Sequence, residues 1–441
     1  MGFVTDKQTL DDLNILGRYK NNSIFSIFNH TITIGGGRLL EKMFNNPLDE
    51  VEDINKRKDT ISFFQDIKLS LPFTEQQFEI VENYIRNPES KNRIAAGLNI
   101  SRAKSLNFVA NEKEYLVLRE GLETTLELMA NMKELVAKII QQADGTPYFG
   151  KTKRMESILN DSHFDLAYEV AGQKPLLFRY VFKLDYFFRG LLNDKIEELL
   201  KAIYELDVYI AVSNVARERD LCYPVALPKE DKIIDMKGVY HLAIPGAIDN
   251  DVKIDSNTQN VFFLTGANMA GKSTFMKSFS VAIYLAHMGF PVACKEMKFA
   301  LHDGIYTSIN VPDNLAMGYS HFYAEVLRVK HVAEEVASNK QLVIIFDELF
   351  KGTNVKDAYD GTVSIVDAFS KRKGSFIIST HIMEAGQTLR ESNDRLFFKY
   401  LPTVMKGTVP TYPYKLADGI TDDRHGMIII KNERILDIIK E

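Results

Sequence analysis

Ten consecutive residues, TGANMAGKST from Thr265 to Thr274, set two glycines, a lysine and two hydroxyls at G-x-x-x-x-G-K-S spacing. Gly266 and Gly271 let backbone wrap closely around an oxyanion. Successive N–H groups and the start of a following helix add positive potential at the same place. Lys272 would then reach the β- and γ-phosphates of a nucleotide, the Ser273 hydroxyl would bind Mg²⁺, and Thr274 is placed to touch a phosphate. Two carboxylates, Asp347 and Glu348, follow the apolar run QLVIIF. Asp347 is expected to hold Mg²⁺ through water, and Glu348 to orient and deprotonate an attacking water. A third run, GSFIISTH, ends in His381, which would hydrogen-bond the γ-phosphate or that water. These three elements describe hydrolysis of ATP or GTP and leave open what the hydrolysis drives.

Such chemistry needs the three stretches at one edge of a sheet. VFFL precedes the glycine loop and FMKSFSVAIYLAHMG follows it, so a strand, a turn and a helix are expected in that order. KIIDM, LVIIF, SFIIS, RLFFKYL and MIIIK read as further strands, several alternating with helical stretches, as in a mostly parallel sheet covered by helices. The earlier half is different. Residues 112 to 142 carry apolar side chains at three- and four-residue spacing, and a second helical tract runs from about Pro175 to Arg219. That tract reads as one long helix or as two joined near Gly190, and ADGTPYFGKTK between the tracts reads as a turn. The expected fold is therefore α plus α/β: an all-helical part over 1–215, then a phosphate-loop α/β part over 216–441.

Composition narrows the remaining classes. The 441 residues are 45% hydrophobic, enough for full cores, and the net charge of -5 announces no global nucleic-acid surface. Cys222 and Cys294 stand far apart, without metal-ligand spacing, and are expected to be two reduced thiols. No signal peptide is legible, and no apolar run approaches the roughly 18 residues needed to cross a bilayer. A soluble, cytoplasmic chain without a membrane partner is expected.

Between the glycine loop and the acidic run lies DNLAMGYSHFYAEVLRVKHVAEEV, in which Ser320 is placed to cap a helix. A helix start bearing a hydroxyl is also an anion-binding surface, and ATPases of the ABC type use one to cover the γ-phosphate held by a second subunit. At this point the sequence resembles the ATPase domain of MutS, the DNA mismatch-repair family. The loop resembles TGPNMGGKST, Ser320, Phe322 and Glu325 fit S-x-F-x-x-E, and Asp347 through Thr353 fits D-E-(I/L)-x-x-G-T. YKLADGITDDRHGM is similar to a further segment of that family. Near the N-terminus, Gly36, Arg38, Leu39, Pro47 and Leu48 fit the start of its helical core, with Phe44 at an indole position.

The resemblance implies an N-terminal core and lever domain and an ABC-type ATPase domain that dimerises as a homodimer. Asn268 and Met269 would join Gly266, Gly271, Lys272, Ser273 and Thr274 in binding ATP, with Mg²⁺ at Ser273 and Asp347, Glu348 activating water and His381 sensing the γ-phosphate. Ser320 would reach the nucleotide of the partner chain. Implied partners are double-stranded or branched DNA and other DNA-repair proteins, with ATP turnover coupled to DNA engagement. The chain starts almost directly at the core, so the mismatch-reading domain is expected to be absent, and no basic cluster stands in for it. The alternative is a MutS-shaped ATP switch that moves protein partners without gripping DNA. An ordinary ABC-type transport or chromosome-organising ATPase would leave the match from Thr31 to Leu48 accidental.

Overall fold

Uninterrupted apolar runs make strands that are covered on both faces, and here they build a largely parallel sheet. The computed structural model describes residues 2–17, 22–86, 112–309, 321–407, 409–421 and 438–439. Its strands in chain order are β1 Val225–Leu227, β2 Ile233–Val239, β3 Asn250–Asp255, β4 Val261–Gly266, β5 Glu296–Ala300 and β6 Gly304–Ser308, followed by β7 Leu342–Asp347, β8 Gly374–Ser379, β9 Leu396–Leu401, β10 Val404–Lys406, β11 Val409–Thr411 and β12 Ala417–Asp418. The main sheet has the order β12-β9-β4-β8-β7-β6. β9, β4, β8, β7 and β6 are parallel, and β12 closes one edge antiparallel. A second, mixed sheet has the order β1-β5-β2-β3, and β10 pairs with β11 as a hairpin. VFFL, LVIIF and SFIIS thus lie in strands, as do KIIDM from Ile233 and RLFFKYL from Leu396, while MIIIK falls outside the described residues.

The chain divides into two units, one of residues 1–28, 43–58 and 215–441, the other of residues 29–42 and 59–214. In the first, the helix Lys272–His287 is buried along nearly its whole length. A helix that is apolar all round has to be central. A second layer, with helices His321–Ala337, Val355–Ser370 and Met383–Ser392, packs on the sheet through a core in which Phe369 stacks on Phe346 and Phe376. The N-terminal residues belong to this unit. Val4 pairs in parallel with Gly304 at the sheet edge, where a Cβ on Gly304 would collide with the Val4 carbonyl oxygen. Thr9 accepts from the Thr307 N–H, and Asp12 accepts from the Thr307 hydroxyl and the Ile309 N–H. Phe44 is fully buried among Phe25, Phe28 and Phe290, and its carbonyl accepts from the Tyr284 hydroxyl at 2.6 Å.

The second unit is helical. Its elements include Glu75–Arg86, Glu112–Ala143, Phe149–Leu159 and Phe178–Tyr186. The tract from Pro175 is two helices: Phe178–Tyr186 passes through a π-helical turn, Phe187–Leu191, and a new helix starts at Asn193. Gly190 lies within that turn. The turn carries a buried ion pair, Asp185 with Arg189, and the Tyr84 hydroxyl donates to Asp185 at 2.7 Å. ADGTPYFGKTK is a turn only as far as Tyr148, because Phe149 already opens the next helix.

The three glycines after Thr33 are unequal. Asp207 accepts from the Ile32 and Thr33 N–H groups and from the Thr33 hydroxyl, while Thr33 Oγ1 accepts from the Gly36 N–H. A Cβ on Gly36 would lie 2.6 Å from Asp207 Oδ2, whereas one on Gly37 would come no nearer than 3.3 Å to Thr31 Oγ1. Gly36→Ala is therefore expected to destabilise the chain by about 1–3 kcal/mol through overpacking. Gly37→Ala is expected to be neutral or to stabilise by up to about 1 kcal/mol through helix propensity. Urea unfolding of the two variants side by side checks the contrast.

Candidate active site

The sheet order β4-β8-β7 brings the carboxyl ends of three strands side by side, and open α/β sheets place ligands at such ends. β4 delivers the loop 265–274, β7 delivers Asp347 and Glu348, and β8, between them, delivers Ser379 to His381. Asp347 is level with Ser379 in the ladder, and the Glu348 N–H donates to the Ser379 carbonyl at 3.1 Å. Loop curvature comes from positive φ at Gly266 (147°), Met269 (74°) and Gly271 (98°), the last standing just before the helix Lys272–His287. A side chain at Gly266 would meet the Leu401 carbonyl oxygen at 3.0 Å, so glycine serves both the turn and the close approach of β9.

Lys272 is 5% exposed. Its ammonium donates to the carbonyls of Gly266 at 2.8 Å and Ala267 at 3.2 Å, and Glu348 Oε1 stands 3.7 Å away. Burial lowers its pKa, and the carboxylates of Glu348 and Asp347 oppose that shift. The Ser273 hydroxyl donates to Asp347 Oδ2, while Oδ1 accepts from the Ser379 hydroxyl at 2.5 Å. A serine and a carboxylate oxygen side by side suit a small hard cation that completes its shell with water and phosphate oxygens. Among the described residues, no group of three or more His, Cys, Asp or Glu forms a closed metal cage.

Glu348 holds a left-handed backbone, φ 60°, which turns its side chain back over the strand ends. His381 Nδ1 is 3.6 Å and Lys351 Nζ is 3.3 Å from Glu348 Oε2. His381 is the largest influence holding the carboxyl down, to about 2, with burial opposing and Lys351 and Lys272 assisting. At 3.6 Å that contact is electrostatic rather than a formed hydrogen bond. His381 itself is 58% exposed, open to whatever enters.

The loop and the acids share one cleft of about 690 Å³. Gly271, Lys272, Ser273, Thr274, Asp347 and Glu348 line it, as do Asn268 and Met269, the latter 79% exposed. Ser320 lies outside the described residues. The helix after it does not: Phe322 packs edge-on against Phe350, and Glu325 accepts from the Gly352 N–H at 3.3 Å. A Cβ on Gly352 would stand 2.7 Å from the Phe322 nitrogen, so the glycine after the acids is a packing requirement.

Two family models match the sequence. One, described as MutS domain III, matches residues 8–213, and the other, MutS domain V, matches residues 262–440. The chain belongs to the MutS family. Similar proteins include the DNA mismatch repair protein MutS of Lactococcus lactis subsp. cremoris (strain SK11), 30% identical over 244 residues, and that of Bacillus cereus (strain B4264), 28% identical over 239 residues. That of Streptococcus thermophilus (strain CNRZ 1066) is 29% identical over 244 residues. The matched stretches are 53% to 54% of this chain but only 26% to 28% of those relatives. No helix among the described residues is long and apolar enough to cross a membrane.

One wall of the cleft is built from residues outside the glycine loop and the acidic strand end. His241, Ile244, Ile248 and Tyr414 also border the cleft. Burial lowers the His241 pKa, with Lys277 adding to the effect, which favours the uncharged ring. Ile244 and Ile248 are each 44% exposed. The buried Asn250 ties Tyr414 to this wall, donating to the Tyr414 carbonyl at 2.9 Å and accepting from the Leu416 N–H at 2.8 Å. The only signal in the sequence is HLAIPGAID, apolar residues in a Pro/Gly loop where polar ones are usual.

The depressed Glu348 pKa fixes a pH dependence. A carboxylate whose folded pKa lies below its ordinary 4.5 stabilises the fold above that value and loses the contribution as pH falls toward about 2. Urea unfolding should give wild type a steeper loss of stability between roughly pH 4.5 and 2 than Glu348→Gln, by up to about 3 kcal/mol. Equal slopes would show that the carboxylate is not held by its neighbours.

Proposed function

We propose that the cleft binds ATP and hydrolyses it, and that the ATP state governs how the helical unit engages DNA. The observation that carries the reading is the meeting of a glycine loop with Lys272, the Ser273–Asp347 pair and Glu348 at the ends of two strands separated only by β8. The loop amides and Lys272 bind the triphosphate. Asn268 and Met269 lie along its path, and Thr274 touches a phosphate. His241, Ile244 and Ile248 offer a neutral, largely apolar wall to the base. Ser273 and Asp347 would hold Mg²⁺, which supplies neutralisation of phosphate charge when bound. Glu348 orients the attacking water and takes its proton. A carboxylate held near 2 is a weak base, but a triphosphate close by raises its basicity by like-charge repulsion. His381 restrains Glu348 and senses the γ-phosphate.

In this reading two copies form a homodimer across the nucleotides, with Ser320 of the partner subunit covering the γ-phosphate. The DNA partner rests on family membership, and the relatives bear the words DNA mismatch repair in their names. Other DNA-repair proteins are the further partners proposed. The proposed organisation is a helical core and lever over 1–215 and an ATPase domain over 216–441, with residues 1–28 and 43–58 of the former packed into the compact unit of the latter.

ATP turnover measured against homoduplex, mismatched, branched and single-stranded DNA tests the whole. Turnover should respond to at least one duplex or branched form, and binding should weaken steeply with salt. Glu348→Gln should bind ATP yet turn over about 10²–10⁴-fold more slowly, and Lys272→Ala should lose affinity. Mixing Ser320→Ala with Lys272→Ala subunits should restore activity, because one composite site per mixed dimer keeps both groups. A rate flat across every DNA contradicts the DNA part, and full activity in strict monomers contradicts the shared site.

A further inference from the structure

The two cysteines, 72 positions apart, have their sulfurs 3.0 Å from each other. Both are free thiols in this structure. Backbone pairing produces the approach. Cys222 and Val292 exchange both N–H···O bonds, at 3.0 and 2.9 Å, and the chain then turns tightly so that the Cys294 N–H donates to the Val292 carbonyl at 2.9 Å. The fold therefore delivers the second sulfur to the first within a single antiparallel bridge. Sequence spacing gave no hint of this, since neither a C-x-x-C motif nor a metal pattern is involved.

We propose that Cys222 and Cys294 are a reversible dithiol–disulfide pair that reacts with low-molecular-weight disulfides, Cys222 attacking and Cys294 resolving. Access sets the order. Cys294 is 2% exposed, while Cys222 is only half-buried, so a reagent from solution meets Cys222 first. Acidity points the same way. The hydrogen bond between the sulfurs favours ionisation of Cys222, whereas that bond and burial raise Cys294, which keeps its proton until the second step. The Cys222 thiolate attacks one sulfur of RSSR, the RS–SR bond breaks, and RS⁻ leaves and takes up a proton. Cys294 then gives up its proton, and its thiolate attacks Cys222 Sγ, closing the internal bond and expelling the second RS⁻. Two protein thiols are oxidised and one RSSR is reduced to two RSH. The sulfurs need to move only about 1 Å to reach bonding distance near 2.05 Å. A pair reduced in a reducing compartment and closed under oxidant belongs to the transient, redox-responsive class.

The site adjoins the nucleotide cleft. Ala293, beside Cys294, accepts from the Tyr240 N–H at 3.0 Å, and Val239 and His241 on either side of Tyr240 line the cleft. The proposal does not depend on what the cleft binds.

The reduced 441-residue chain treated with oxidised glutathione under native conditions provides the test, read by thiol titration, intact mass and non-reducing peptide mapping. Wild type should lose both thiols, retain no glutathione and yield a Cys222–Cys294 linked peptide that dithiothreitol reverses. Cys294→Ser should retain one glutathione on Cys222, and Cys222→Ser should leave Cys294 unmodified. A wild type that keeps both thiols, retains glutathione or links only chain to chain overturns the proposal. That wild-type outcome decides alone if either serine variant fails to fold.

Discussion

A buried ammonium is the constraint around which the candidate site is arranged. Lys272 is almost wholly removed from water, and an isolated cation there would cost several kcal/mol. Two loop carbonyls and the carboxylate of Glu348 offset that cost. The carbonyls are available because Gly266 and Gly271 bend the loop into conformations that few side-chain-bearing residues adopt. The carboxylate is available because β7 and β4 are separated by β8 alone and Glu348 turns back at positive φ. A triphosphate would offer this cation a stronger partner than the loop carbonyls. In the proposed reading, ligand entry is an exchange of partners by Lys272 that also frees Glu348 to act on water.

The acids are physically tied to the helix His321–Ala337. Phe350 and Gly352, just beyond Glu348, pack against Phe322 and bond Glu325 near the start of that helix. On the same helix, Arg328 pairs with Asp6 of the N-terminal segment and donates to the Thr307 carbonyl at 2.5 Å. The helix is thus fastened to the loop after β7, to β6 and to the N-terminal segment. Displacement of the Glu348 region has a direct mechanical route to the helix start, where the proposed covering hydroxyl would sit. In the proposed reading, nucleotide-driven switching would act through these contacts.

Most of the main sheet was legible, because strands covered on both faces leave runs such as VFFL, LVIIF and SFIIS that no exposed segment would carry. The meeting of the glycine loop with the two acids was legible for a related reason: each follows directly on such a strand. Properties arising from distant contacts were not. Nothing local says that Met1–Phe28 packs with residues after 215, since the bonds from Asp6, Thr9 and Asp12 reach partners some 300 positions away. The wall of His241, Ile244 and Ile248 was missed because exposed isoleucines in a loop carry no motif, and the cysteine pair because sequence separation hides a bridge. The break near Gly190 was half-read: a glycine marked the place, but the π-turn and the buried Asp185–Arg189 pair beside it carry no local motif.

The central claim is that Lys272 trades the Gly266 and Ala267 carbonyls for phosphate oxygens while Ser273 and Asp347 face the metal ion. A crystal structure of Glu348→Gln grown with Mg-ATP measures this directly. The account predicts the Lys272 ammonium on the β- and γ-phosphates, the Ser273 hydroxyl turned from Asp347 to Mg²⁺, and the substituted amide side chain facing the γ-phosphate. Nucleotide bound elsewhere, or Lys272 still on the Gly266 carbonyl with the triphosphate in the cleft, would contradict it.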